Sequence, residues 1–211
     1  MKKLLFLFLI AFSFNSFSQL TYVPDDEFEN FLENIGMGNG VMDDYVPTEK
    51  IDTVTYLNPD SGLWGPIQNL VGIEDFVALE VLDCSYEGSG SLGFVDLSNN
   101  LALKSITLSH NDISTLILGN NSNLIYVGCA YNNLSSLDVS NNPALEYLDC
   151  SYNNLSSLDV SNNTALTYLW CNDNQLTSLD VSNNPALTRL GCTSNQLTCL
   201  NLKNGNNTIM T

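Results

Sequence analysis

Apolar residues recur along the second half of the chain at fixed spacing, with polar residues between them. The segment LDVSNNPALEYLDCSYNNLSS from Leu137 is followed by LDVSNNTALTYLWCNDNQLTS from Leu158 and LDVSNNPALTRLGCTSNQLTC from Leu179, a unit of 21 residues. Each unit carries Leu-x-x-Leu-x-Cys-x-x-Asn-x-Leu: Leu145, Leu148, Cys150, Asn153 and Leu155 in the first, Leu166, Leu169, Cys171, Asn174 and Leu176 in the second, Leu187, Leu190, Cys192, Asn195 and Leu197 in the third. Alternation at Leu148 and Cys150 predicts a short strand with both side chains on one face, ended by Asn153 and turned back inward at Leu155. A second alternation, Leu137 and Val139, Leu158 and Val160, Leu179 and Val181, predicts the opposite wall. The unit is too short to hold a full helix there, so extended or 3₁₀ segments are expected. One unit cannot bury its apolar side alone; stacked in register about 4.8 Å apart, every unit covers its neighbours.

Upstream copies fit the same spacing at Leu124, Val127, Cys129, Asn132 and Leu134, and at Leu103, Ile106, Leu108, Asn111 and Ile113. A further copy at Leu79, Leu82 and Cys84 has Glu87 where Asn belongs and is three residues longer, through EGSGSLG. The pattern resembles the leucine-rich repeat family. The resemblance implies a leucine-rich repeat solenoid (α+β, mostly β), a curved right-handed coil with a parallel β-sheet on its concave face. The lead-in IQNLVGIEDFVALEVLDCS resembles that of internalin-like proteins. The opening Tyr22-Val23-Pro24-Asp25-Asp26 with a helix before the repeats is similar to chains exported by type IX-secreting bacteria, although the C-terminal sorting domain usual among them is missing here.

The ends differ from the repeats. Lys2 and Lys3 precede an apolar run from Leu4 to Phe14, and Ser16 and Ser18 sit three and one residues before Gln19, which reads as a secretory signal over 1–18. The run is shorter than the roughly 20 residues of a bilayer span, so a secreted or cell-surface chain without a membrane span is expected. Residues 19–78 read as an N-terminal cap, in which Phe28, Phe31, Leu32 and Ile35 define one amphipathic helix stopped by Gly36. Residues 79–211 are the repeats. An uncovered last turn would expose core and an unpaired strand edge, so the chain reads as a fragment lacking its C-terminal cap.

Charge narrows the partners. Without Lys2 and Lys3 there are four basic residues against 23 acidic ones, a net charge of −19. Nucleic acid and anionic membranes both need a basic face and are disfavoured. His110 is the single histidine, and neither a nucleophile motif nor a phosphate-cradling loop is present. The acidic pairs lie on repeating surface columns with no cleft to desolvate one of them, so no enzyme and no cofactor is expected.

The inward cysteines Cys129, Cys150, Cys171 and Cys192, with Cys84, read as small buried hydrophobes. A disulfide ladder or a metal site are the alternatives, and parallel Cβ vectors at strand spacing, with no Cys-x-x-Cys, count against them. Asn111, Asn132, Asn153, Asn174 and Asn195 are structural, each amide able to satisfy backbone groups at a bend. Asp138, Asp159 and Asp180 form an outward row, read as hydrated carboxylates accepting from turn amides; calcium is the alternative, but monodentate carboxylates on an open surface lack the roughly six to eight oxygens it takes, so no metal is expected.

Three columns point out from the concave strands: Val81, Ser105, Tyr126, Tyr147, Tyr168 and Arg189; Asp83, Thr107, Gly128, Asp149, Trp170 and Gly191; Tyr86, His110, Tyr131, Tyr152, Asp173 and Ser194. Aromatic residues concentrate in the middle turns, either as cross-strand stacking or as a platform for a partner. The expected binding face comprises Tyr126, Tyr131, Tyr147, Asp149, Tyr152, Tyr168, Trp170, Asp173 and Arg189, and takes a protein or, second, a glycan. The rival readings are a passive spacer in a larger surface protein and the non-catalytic part of a truncated enzyme.

Overall fold

A computed structural model describes residues 19–59, 65–85 and 92–205. The signal over 1–18, Tyr86 and Glu87 therefore lie outside the described residues. Strands at 56–57, 81–83, 105–107, 126–128, 147–149, 168–170 and 189–191 form one seven-stranded sheet in spatial order, every neighbouring pair parallel. Its register sets Leu148 beside Val127 and Leu169, so the repeat spacing becomes a ladder of equivalent positions. This is the parallel-sheet solenoid that the repeats imply.

The opposite wall is extended rather than helical. Phe94–Asp96 pairs with Thr115–Ile117 and Ser178–Asp180 with Cys199–Asn201, both parallel. Between the walls lies one continuous core in which Leu145, Leu148, Cys150, Leu155, Leu166, Leu169, Cys171 and Leu176 are wholly buried. The four inward cysteines are free thiols, fully buried at Cys129 and Cys150 and half-buried at Cys192 in the last turn. Burial holds the Cys129 and Cys171 thiols up at about 12, and Cys150 well above its ordinary value. Cys150 and Cys171 donate to the Trp170 and Gly191 carbonyls of the following turn.

Two buried asparagine ladders hold the bends. In the first, Asn153 Nδ2 donates to Cys129 O (3.0 Å), Cys150 O (3.1 Å) and Ser151 O (3.2 Å), while its Oδ1 accepts from Leu134 N (2.9 Å). Asn132, Asn174 and Asn195 repeat the set. In the second, at the opposite bend, Asn163 Nδ2 donates to Val139 O and Asn142 O, both at 2.9 Å, and Asn184 does the same one turn on. At the first bend the amide donates and accepts at once, whereas at the second only its donors are used and Asn163 Oδ1 and Asn184 Oδ1 are buried with no hydrogen-bond partner.

The cap is built around one helix, Asp26–Asn34. One Asp25 carboxylate oxygen caps it, accepting from Glu27 N and Phe28 N, and the other accepts from Gln68 N and Asn69 N, tying the helix to the lead-in. Phe28, Phe31 and Leu32 are buried, and Phe28 meets Phe76 at 6.3 Å between ring centroids. Ile35 departs from the expected apolar face: it is the C-cap residue, its backbone has left the helix, and its side chain is exposed.

Candidate binding face

Six of the seven concave strands are three residues long, so the first and third side chains face outward and the second faces the core. The residue that follows three positions later has left-handed backbone: φ is 61° at His110, 56° at Tyr131, 55° at Tyr152, 51° at Asp173 and 53° at Ser194. Left-handed backbone at a residue with a Cβ costs roughly 1–2 kcal/mol. Here it recurs whatever the side chain, which assigns it to the bend rather than to any ligand. The bend lets the next residue, the ladder asparagine, turn inward. Four of these N–H groups pair with the next turn: His110 N to Ala130 O (3.0 Å), Tyr131 N to Ser151 O (3.0 Å), Tyr152 N to Asn172 O (2.9 Å) and Asp173 N to Thr193 O (2.9 Å). Outside, the bend sends the third column into solvent in a common direction.

Regular turns bring the rings into register. Tyr126 and Tyr147 stack at 4.4 Å and 8°, Tyr147 and Tyr168 lie tilted at 5.9 Å, and Arg189 closes the series with its guanidinium carbon 5.5 Å from the Tyr168 centroid. In the third column His110 stacks on Tyr131 at 4.3 Å, and Tyr131 on Tyr152 at 4.2 Å. Tyr131 and Tyr152 are 44% and 45% exposed, whereas Tyr126, Tyr147, Tyr168 and Trp170 are half-buried against the sheet. The nine expected face residues therefore fall on one surface, as two aromatic ladders with Asp149 and Trp170 between them.

Two glycines decide how the middle column lies. A Cβ on Gly191 would stand 2.3 Å from a Trp170 ring carbon, so the indole lies flat over the next turn instead of standing out from the sheet. Gly128 lies under the Tyr126 ring, where a Cβ would meet the ring edge at 3.3 Å. A glycine inside a strand marks such close approach, and that was the available sequence signal for both contacts. Burial first, then the neighbouring Tyr126 and Asp149, push the Tyr147 hydroxyl up to about 12. Asp149 accepts from Ser151 N at 3.0 Å.

The outward row on the opposite wall is separate from this face. Asp138, Asp159 and Asp180 each accept from the backbone N–H two residues on, at Ser140, Ser161 and Ser182, and these serine contacts hold all three carboxyls below their ordinary range. Among the described residues no group of three or more His, Cys, Asp or Glu could hold a metal ion. No helix among them is long and apolar enough to cross a membrane.

No family model matches the sequence, and no curated protein does. Solved structures match the fold. The functional domain of InlJ from Listeria monocytogenes, described as including a cysteine ladder, is 31% identical with a TM-score of 0.66, over 87% of this chain and 47% of that one. A leucine-rich repeat protein of Leptospira interrogans is 20% identical with a TM-score of 0.60, over 73% of this chain and 44% of that one. Internalin C2 from Listeria monocytogenes is 20% identical with a TM-score of 0.54, over 86% of this chain and 91% of that one. The chain thus spans about half the length of the first two. The protein is a leucine-rich repeat solenoid with an internalin-like architecture.

Proposed function

We propose that this protein is a secreted or cell-surface recognition module that holds another protein against its concave sheet and does no chemistry of its own. Export follows from the signal-like first 18 residues and the resemblance to chains of type IX-secreting bacteria. The observation that carries the reading is the gathering of six aromatic side chains on neighbouring turns of one surface. The fold does not require them: Ser105 and Thr107 occupy the same outward positions on a strand of the same sheet. Aromatic rings in such places are a common means of protein recognition.

Ring geometry favours a protein over a glycan. A sugar stacks on an open aromatic face, but rings 4.2–4.4 Å apart cover each other's faces within a ladder, which offers mostly edges and hydroxyls and an open face only at its ends. Edges and hydroxyls suit the mixed apolar and polar surface of a protein. A net charge of −17 over the whole sequence keeps nucleic acid and anionic membranes disfavoured.

The test is a binding screen against displayed extracellular domains, run with the parent and Trp170→Ala side by side. A ligand held by this face should bind the variant about 30-fold more weakly, as the loss of roughly 2 kcal/mol at a hot spot requires. A ligand bound equally by both would overturn the reading. A spacer would lose stability and no interaction.

A further inference from the structure

We propose that the end of the exposed tyrosine ladder, at Tyr152 and Asp173, seats the guanidinium of an arginine presented by the protein partner. This deepens the concave-face reading and rests on it. His110, Tyr131 and Tyr152 stack at 4.2–4.3 Å, one ring per turn. The next turn carries Asp173 on the same left-handed backbone, and the turn after that only Ser194. Where the ladder would place a fourth ring it has a short carboxylate and then a hydroxyl. A flat, ring-sized group can thus lie on Tyr152 with an anion beneath its edge.

The same surface already contains such a contact. In the parallel ladder, the turn after the last tyrosine carries Arg189, and its guanidinium lies 5.5 Å from the Tyr168 centroid. One ladder therefore ends in its own cation, and the other ends in an acid. Charge selects the same occupant: Asp83, Asp149 and Asp173 face the concave side, with Arg189 as the single lysine or arginine on the described outward columns. Arginine fits better than lysine, because a planar guanidinium can stack on a ring while donating in its own plane to a carboxylate, and an ammonium cannot do both.

The whole chain is titrated by NMR with three blocked tripeptides, Gly-Arg-Gly, Gly-Lys-Gly and Gly-norleucine-Gly. The arginyl peptide should shift the Tyr152 and Asp173 resonances saturably and bind about three- to fivefold more tightly than the lysyl one, the worth of an exposed cation–π contact. Asp173→Asn, which keeps size and fold, should abolish that preference; Tyr152→Leu should do so as well, and Phe94→Leu, at an exposed ring on the opposite wall, should leave it. Equal binding of the arginyl and lysyl peptides, or an unchanged preference in Asp173→Asn, would overturn the proposal. The two readings fail separately. A partner lost by Trp170→Ala but bound equally by parent and Asp173→Asn removes the arginine seat alone. An arginyl preference that survives while the partner ignores Trp170→Ala removes the concave-face reading.

Discussion

Replacing Asn153 separates what its amide does from what its bulk does. The carbonyls it serves have other partners: Cys129 O also accepts from Asn132 Nδ2, Cys150 O from Asn174 Nδ2 and Ser151 O from Tyr131 N. Leu134 N has no second acceptor, so Asn153→Ala strands one buried N–H, worth about 1–3 kcal/mol, and gives up shared bonds worth roughly 1 kcal/mol more. The expected loss is about 2–4 kcal/mol. Asn153→Asp keeps the shape and the acceptor for Leu134 N but aims a second oxygen at three carbonyls. At pH 8 it should therefore be less stable than the alanine variant despite being closer in shape. Protonation of that carboxyl restores one donor, so its folded-state pKa is raised. Its stability is thus fully present below the unfolded carboxyl value near 3.9 and is lost as pH rises through the folded value. Urea unfolding followed by circular dichroism at pH 4 and pH 8 measures all three proteins. An aspartate variant as stable as the alanine one at pH 8, or an alanine variant within about 0.5 kcal/mol of the parent, would refute the ladder's role.

Three further outcomes follow from the same structure. A chromogenic disulfide should modify exposed Cys199 first and half-buried Cys192 next, and reach Cys129, Cys150 and Cys171 only on unfolding; equal rates at all of them would contradict the packed column. Because burial raises the Cys129 and Cys171 thiols from 9.0 to about 12, their contribution is intact below pH 9 and declines between 9 and 12. Denaturation midpoints should fall over that window, less steeply in Cys129→Val/Cys171→Val. Gly191→Ala should displace the Trp170 ring without changing its chemistry, and so weaken any partner held there while circular dichroism stays that of the parent; binding unaffected by both Gly191→Ala and Trp170→Ala would take the indole out of the interface.

The repeats made the solenoid legible because one unit's apolar spacing, copied at 21 residues, permits only a stacked arrangement. The inward columns, the asparagine amides and the extended opposite wall are all consequences of that period, and the structure has each of them. Ile35 was misplaced because periodicity identifies a helical face but not the residue at which the helix stops. On the concave face, alternation could name which side chains point outward but not how they lie. The left-handed bend that splays Tyr131 and Tyr152 depends on the hydrogen bonds of the next turn. The lean of Trp170 depends on the absence of a side chain at Gly191, 21 residues away. Such contacts belong to pairs of turns. In a solenoid, one turn's sequence fixes its core, while its binding surface is set jointly with its neighbours, so a face such as Tyr152 with Asp173 can differ from turn to turn without disturbing the fold beneath it.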